Sequence, residues 1–140
     1  MKTKFRAWDN VKDCMYYLGE DENVVFAFFS SGIIATDITE GEDEFSVLHH
    51  LQYMQYTGLN DSEGTEIYEG DIVKVTHAEY FIDKICTVVW GLDNNDHYPA
   101  FHMPELDTES NSFSEVFNVD GYFVKVIGNI HENKYLLEEK

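Results

Sequence analysis

Apolar residues along this chain recur at every second position, and glycine, asparagine and aspartate break the runs at short intervals. DIVKVTH (71–77) shows the pattern plainly: Val73 and Val75 fall on one side, Lys74 and Thr76 on the other. Successive side chains of a strand point to opposite faces, so this alternation specifies a strand with one covered face. VVFAFF (24–29) has large residues at both parities, as a strand covered on both sides would. ICTVVW (85–90) and YFVKVI (122–127) carry the β-branched and aromatic residues that fit a pleated surface. Breaks at Ser31-Gly32, Gly41, Gly64, Gly70-Asp71, Gly91 to Asn94 and Asp120-Gly121 supply turn chemistry at short spacing. The chain therefore reads as mainly β. Asp120-Gly121, directly before YFVKVI, has the composition of a tight hairpin turn.

Three stretches depart from that rhythm. FSVLHHLQYMQY (45–56) fits a helical stripe through Phe45, Leu48, Leu51 and Met54, yet its aromatic and β-branched content favours a strand. HYPAFHMPELDTESNSFSE (97–115) holds both prolines and many polar residues and reads as a long loop. ENKYLLEEK (132–140) is the clearest helix, with Asn133 as N-cap and Leu136 and Leu137 as its apolar edge. At 140 residues the chain fits one compact domain with a small N-terminal lobe, large enough to bury a core without a staple.

Charge bounds the partners. Nine Lys and Arg stand against 27 Asp and Glu, a net −18. Lys2, Lys4, Arg6 and Lys12 crowd the start, and no basic residue follows until Lys74. Affinity for nucleic acid rests on cations facing phosphates, so direct nucleic-acid binding is disfavoured, and a partner should be neutral or basic. Cys14 and Cys86 form no CxxC pattern, which favours a reducing compartment over a disulfide framework. The opening residues lack the apolar core of a secretory signal, and no run approaches a membrane span. A cytoplasmic, soluble protein is expected.

Candidate chemistry is thin. TGLNDSEGTEIYEGD could be a calcium loop, but an EF-hand register on Gly64 puts Leu59 at the first ligand position and Gly70 at the twelfth. Gly58, Asn60, Asp61, Gly64, Gly70 and Asp71 read instead as a structural turn motif, whose side chains cap their own backbone. His49, His50, His77, His97, His102 and His131 show no metal-ligand spacing. Acid clusters such as Glu42-Asp43-Glu44 sit in expected loops, where nothing desolvates one carboxyl beside another. Nucleophile-elbow, Walker and dinucleotide-binding motifs are absent. No catalytic residue, metal or cofactor is assigned.

KFRAWD (4–9) with Met15-Tyr16-Tyr17, MQYTGLNDSEGTEIYEGDIVKV (54–75), and VIGNIHEN (126–133) followed by Leu136-Leu137 together resemble the YopX family of bacteriophage and prophage proteins. The resemblance implies a phage-derived, mostly β protein that self-associates in the cytoplasm of its bacterial host. It also implies a small SH3-like barrel over 57–140 with the C-terminal helix, beside an N-terminal β lobe over 1–56, the two open to forming one compact unit. No catalytic activity comes with it. Lys134 departs from the proline that family members often place at the first helical position.

A non-enzymatic domain acting by protein contact and forming a homo-oligomer is the expectation. The candidate interface comprises the basic Lys4 and Arg6 and the aromatics Trp8, Tyr53, Tyr56, Tyr80, Trp90 and Tyr98, although most aromatics must be core. Contact of the basic first twelve residues with the acidic stretch of a neighbouring copy is one route to association. An acidic DNA mimic that inhibits a host DNA-binding protein is the alternative. A small-molecule enzyme built on the 97–109 loop is a third.

Overall fold

A computed structural model of the chain describes residues 4–20, 23–30, 32–39, 46–91, 100–106 and 111–138. The fold is mainly β, with a curled half-barrel sheet and two short helices, one of them C-terminal. It divides into two compact units, Met1–Gln55 and Tyr56–Lys140.

The first unit is built from antiparallel strands. β1 (Phe5–Asp9) pairs on one edge with β2 (Cys14–Tyr17) and on the other with the start of β6, while β3 (Val24–Phe29), β4 (Gly32–Asp37) and β5 (Ser46–Leu48) form a second sheet in that order. β6 itself spans Gln52–Asn60 and continues into the second unit. The strand expected across 45–56 is thus two strands, separated by His49, His50 and Leu51. Ala7, Tyr16, Val24, Ala35 and Leu51 bury together, with Phe26 and Leu48 against them. The Phe5 ring meets those of Phe26 and Phe28 edge-on at 5.0 and 5.7 Å. All five residues of β1 are buried; a strand covered on both faces can carry the unbroken run FRAWD.

In the second unit, β7 (Glu66–Tyr68) pairs with the end of β6. β8 (Asp71–His77) lies at the centre of a sheet between β9 (Ile82–Thr87) and β12 (Tyr122–Asn129). The short β10 (Val89–Trp90) and β11 (Phe101–His102) pair separately. The core gathers Ile67, Val73, Val75, Cys86, Val88, Met103, Phe113, Val116 and Val124; the alternation in DIVKVTH turns Val73 and Val75 inward and leaves Lys74 outside. The C-terminal helix, α2, forms over Tyr135–Glu138.

Several local expectations are corrected. The expected loop over 97–115 contains the start of a helix, α1 (Ser112–Asn118), capped by the Asn111 side chain accepting from the Ser114 N–H at 2.8 Å. Asp120-Gly121 joins α1 to β12 and closes no hairpin. Gly121 has φ +102°, and a β-carbon there would run into the His77 ring, so the residue serves a close approach. Asn133 does not cap α2 with its side chain; its Oδ1 accepts from the Asn129 N–H at 3.1 Å, ahead of the helix.

Candidate interaction surfaces

The turn motif locks backbone to backbone. Asp61 is buried, and its Oδ1 accepts from the N–H groups of Glu63 and Thr65 at 2.9 and 2.8 Å. Its Oδ2 accepts from the Val126 N–H at 2.9 Å, and the Ser62 hydroxyl accepts from the Val124 N–H, so the turn is pinned to β12. Burial raises the carboxyl's pKa, but these N–H groups outweigh it and hold Asp61 below the usual range. Gly64 closes the turn at φ +90°, a conformation that favours glycine. Asn60 Nδ2 donates to the Gly64 carbonyl, and Gly58 stands where the β6–β7 register shifts. Asp71 accepts from the Tyr68 N–H at 2.8 Å, and the Gly70 N–H donates to the Val88 carbonyl. The side chains of Asn60, Asp61 and Asp71 are all engaged in holding the fold.

A comparable device sits in the first unit. Asp9 has no exposed surface. It accepts from the Val11 and Lys12 N–H groups at 2.9 and 3.0 Å, from the Tyr16 hydroxyl at 2.8 Å and from His50 Nε2 at 2.8 Å. An ionised carboxylate only accepts, so Nε2 carries the imidazole proton. Burial pushes the Asp9 carboxyl up, and the hydrogen bonds from Lys12, Tyr16, His50 and Val11 together bring it down to about 2. Burial, with Cys14 and Asp9 adding, holds the Tyr16 phenol protonated well above its ordinary range. Among the described residues no group of three or more His, Cys, Asp and Glu side chains gathers as a metal site would. Burial also pushes the Cys86 thiol up to about 12, with Glu105 adding to the effect, which leaves that sulfur a packed, unreactive side chain.

The candidate interface residues scatter. Arg6 and Trp8 are 3% and 7% exposed and so lie inside, not on a surface. Lys4 is exposed, and Lys12 faces Asp37 of its own unit at 3.3 Å. Tyr56 is half-buried beside Tyr68. Tyr53 is exposed along one edge while its ring meets Phe5 at 5.7 Å. Tyr80 and Trp90 are exposed, and Tyr98 lies outside the described residues, as does His97.

Two further surfaces stand out, the second of them around the candidate Trp90. On the β3–β4–β5 sheet, Val25 pairs with Thr36, Ala27 with Ile34, Phe29 with Gly32, and Thr36 with Val47. By strand parity these share the face opposite the one that packs Phe26, Ala35 and Leu48. Val25, Phe29, Ile34 and Val47 are all exposed there, Phe29 at 56%. Among the described residues of this face none is charged. In the second unit a groove of about 580 Å³ is lined by Leu59, Trp90, Phe101, Phe113 and Phe117, with Ser114 on its rim. Its rings run as a ladder: Trp90 to Phe101 at 4.8 Å, Phe101 to Phe113 at 6.3 Å, Phe113 to Phe117 at 4.9 Å.

Comparison with known proteins gives a consistent picture. The family model described as YopX protein matches residues 4–138. Protein EF1440 from Enterococcus faecalis has a crystal structure that is similar at 28% identity and a TM-score of 0.60, covering 98% of this chain and 99% of that one. Protein yopX from Bacillus subtilis is similar in structure at 20% identity, with a TM-score of 0.60 over 97% and 98% of the two chains. No curated protein matches. Among the described residues, no helix is long and apolar enough to cross a membrane.

Proposed function

Because the chain belongs to the YopX protein family, we propose that it is a phage- or prophage-borne, non-enzymatic interaction domain that self-associates in the cytoplasm of a host bacterium. The observation that carries this reading is the uncharged outer face of β3, β4 and β5. Large contiguous apolar patches on a soluble protein mark contact sites. A protein of net −18 repels its own copies everywhere except where neither contributes charge, and this face is such a place. Strand β3 is also a sheet edge, whose main chain offers a second copy a template for pairing.

The basic start of the chain is a weaker basis for association: Arg6 is buried and Lys12 is engaged by Asp37. The acidic DNA mimic has less to work with than composition suggests. Asp9, Asp61, Asp71 and Glu105 all spend carboxylate oxygens on internal hydrogen bonds.

Phe29→Asp tests the reading, because it places a charge on that face, at the end of β3, without touching the buried side. Light scattering coupled to gel filtration should show wild type above monomer mass and the variant shifted towards monomer. Wild type at monomer mass across the accessible concentration range would remove self-association.

A further inference from the structure

The turn between β8 and β9 presents an apolar knob on a rigid base. The Tyr80 N–H donates to His77 Nδ1 at 3.2 Å, so Nδ1 is the unprotonated nitrogen and Nε2–H points to the Asp120 carbonyl at 3.1 Å. The Tyr80 ring stacks on His77 at 4.0 Å, and Tyr122 meets His77 edge-on at 4.7 Å. The next residue, Phe81, adopts φ +55° and leaves 92% of its surface in water. A bulky residue in the left-handed region is disfavoured, and Asn, Asp or Gly would suit the backbone better. Backbone preference and burial both argue against phenylalanine here, so its ring is explained by something outside the monomer.

The aromatic groove of the same unit has the complementary character. Among the described residues, none of its lining side chains is charged. Among these residues a basic peptide would find no carboxylate and a phosphate no cation, whereas an aromatic ring would find Trp90, Phe101 and Phe117. Of the charged groups flanking the knob, Lys74 lies beside Asp83 at 3.7 Å and Lys84 Nζ donates to the Glu105 carbonyl at 3.2 Å, while Glu79 is an exposed carboxylate two residues from Phe81. An uncharged ring can therefore enter an uncharged lining, with Glu79 left at the edge of the contact in water.

We propose that Phe81 of one copy inserts into the Trp90–Phe101–Phe113–Phe117 groove of a second. This rests on the self-association reading above and adds a contact distinct from the β3–β4–β5 face. Each copy gives one knob and receives one, so the contact is heterologous in its parts and either closes as a reciprocal pair or continues from copy to copy.

Sedimentation velocity on the full chain, over a concentration series, tests it with Phe81→Asn, Phe81→Glu, Ser114→Lys and an equimolar mixture of the last two. Phe81→Asn should fold at least as well as wild type, by thermal melting, yet need about tenfold more protein to reach the same mass. Phe81→Glu and Ser114→Lys should each lose association alone and regain it when mixed, because the introduced carboxylate meets the introduced ammonium. If wild type associates and Phe81→Asn and Phe81→Glu keep its mass at every concentration, the insertion is wrong, while loss of mass in Phe29→Asp alone would leave the sheet-face reading standing. A wild type that never associates would remove both.

Discussion

Asp9 and Asp61 perform the same service in the two units. Each is a short side chain, stripped of water, that gathers N–H groups which otherwise would be left unpaired at a chain reversal. For Asp9 this has a definite pH signature. Its folded pKa of about 2 lies below the ordinary aspartate value of 3.8, so the unfolded chain takes up the proton first as pH falls. The stabilisation is fully present above the unfolded value and is lost between about 4 and 2; the shift is equivalent to roughly 2 kcal/mol. Chemical denaturation of wild type and Asp9→Asn over pH 2 to 6 should show the variant less stable near neutrality and the two curves converging at low pH. Parallel curves would mean that Asp9 is not held as a charged acceptor. Asp61 was legible from the sequence because its turn chemistry is local. Arg6 and Trp8 were not: alternation tells which residues share a face, but only neighbours in space decide whether a second face is also covered.

At the level of elements, α1 is the feature the sequence disguised. Serines and a glutamate alternate with Phe113, Val116 and Phe117, and two prolines upstream suggest a loop. The signal present was Asn111 as a cap, followed by apolar residues three and four apart. Asn111 works in two directions: Oδ1 accepts from the Ser114 N–H, and Nδ2 donates to the Phe101 carbonyl at 3.0 Å. The Ser112 hydroxyl then ties the helix to Met103, accepting from the Met103 N–H and donating to the Met103 carbonyl. Because α1 carries Phe113 and Phe117 into the groove, Asn111→Ala should loosen a groove wall as well as a helix end. The expected cost is about 1–2 kcal/mol in chemical denaturation, with a change in Trp90 emission before global unfolding. A variant as stable as wild type would show that packing alone holds α1. Asp120-Gly121 misled in the opposite sense, since its composition identifies a turn but not the kind of element that enters it.

Across the whole molecule, charge and apolar surface pull against each other. The net charge of −18 was readable at once, and so was a surplus of aromatics. Which aromatics remain outside was not: Phe81 is exposed because its backbone takes a left-handed turn, and Phe29 because its strand leaves one face bare. The two routes to association respond oppositely to salt. Contact between the basic start of one copy and the acidic stretch of another would be made by charge and weakened by screening. Contact through the β3–β4–β5 face or the Phe81 knob is made by uncharged side chains and opposed by the repulsion of two acidic bodies. Screening shortens that repulsion from a reach of about 10 Å at 0.1 M salt to about 3 Å at 1 M. Raising sodium chloride from about 0.05 M to about 0.5 M should therefore tighten association several-fold in sedimentation equilibrium. A dissociation constant that rises with salt would place the contact on charged surface instead, because the burial of uncharged side chains gives no reason for ions to loosen it.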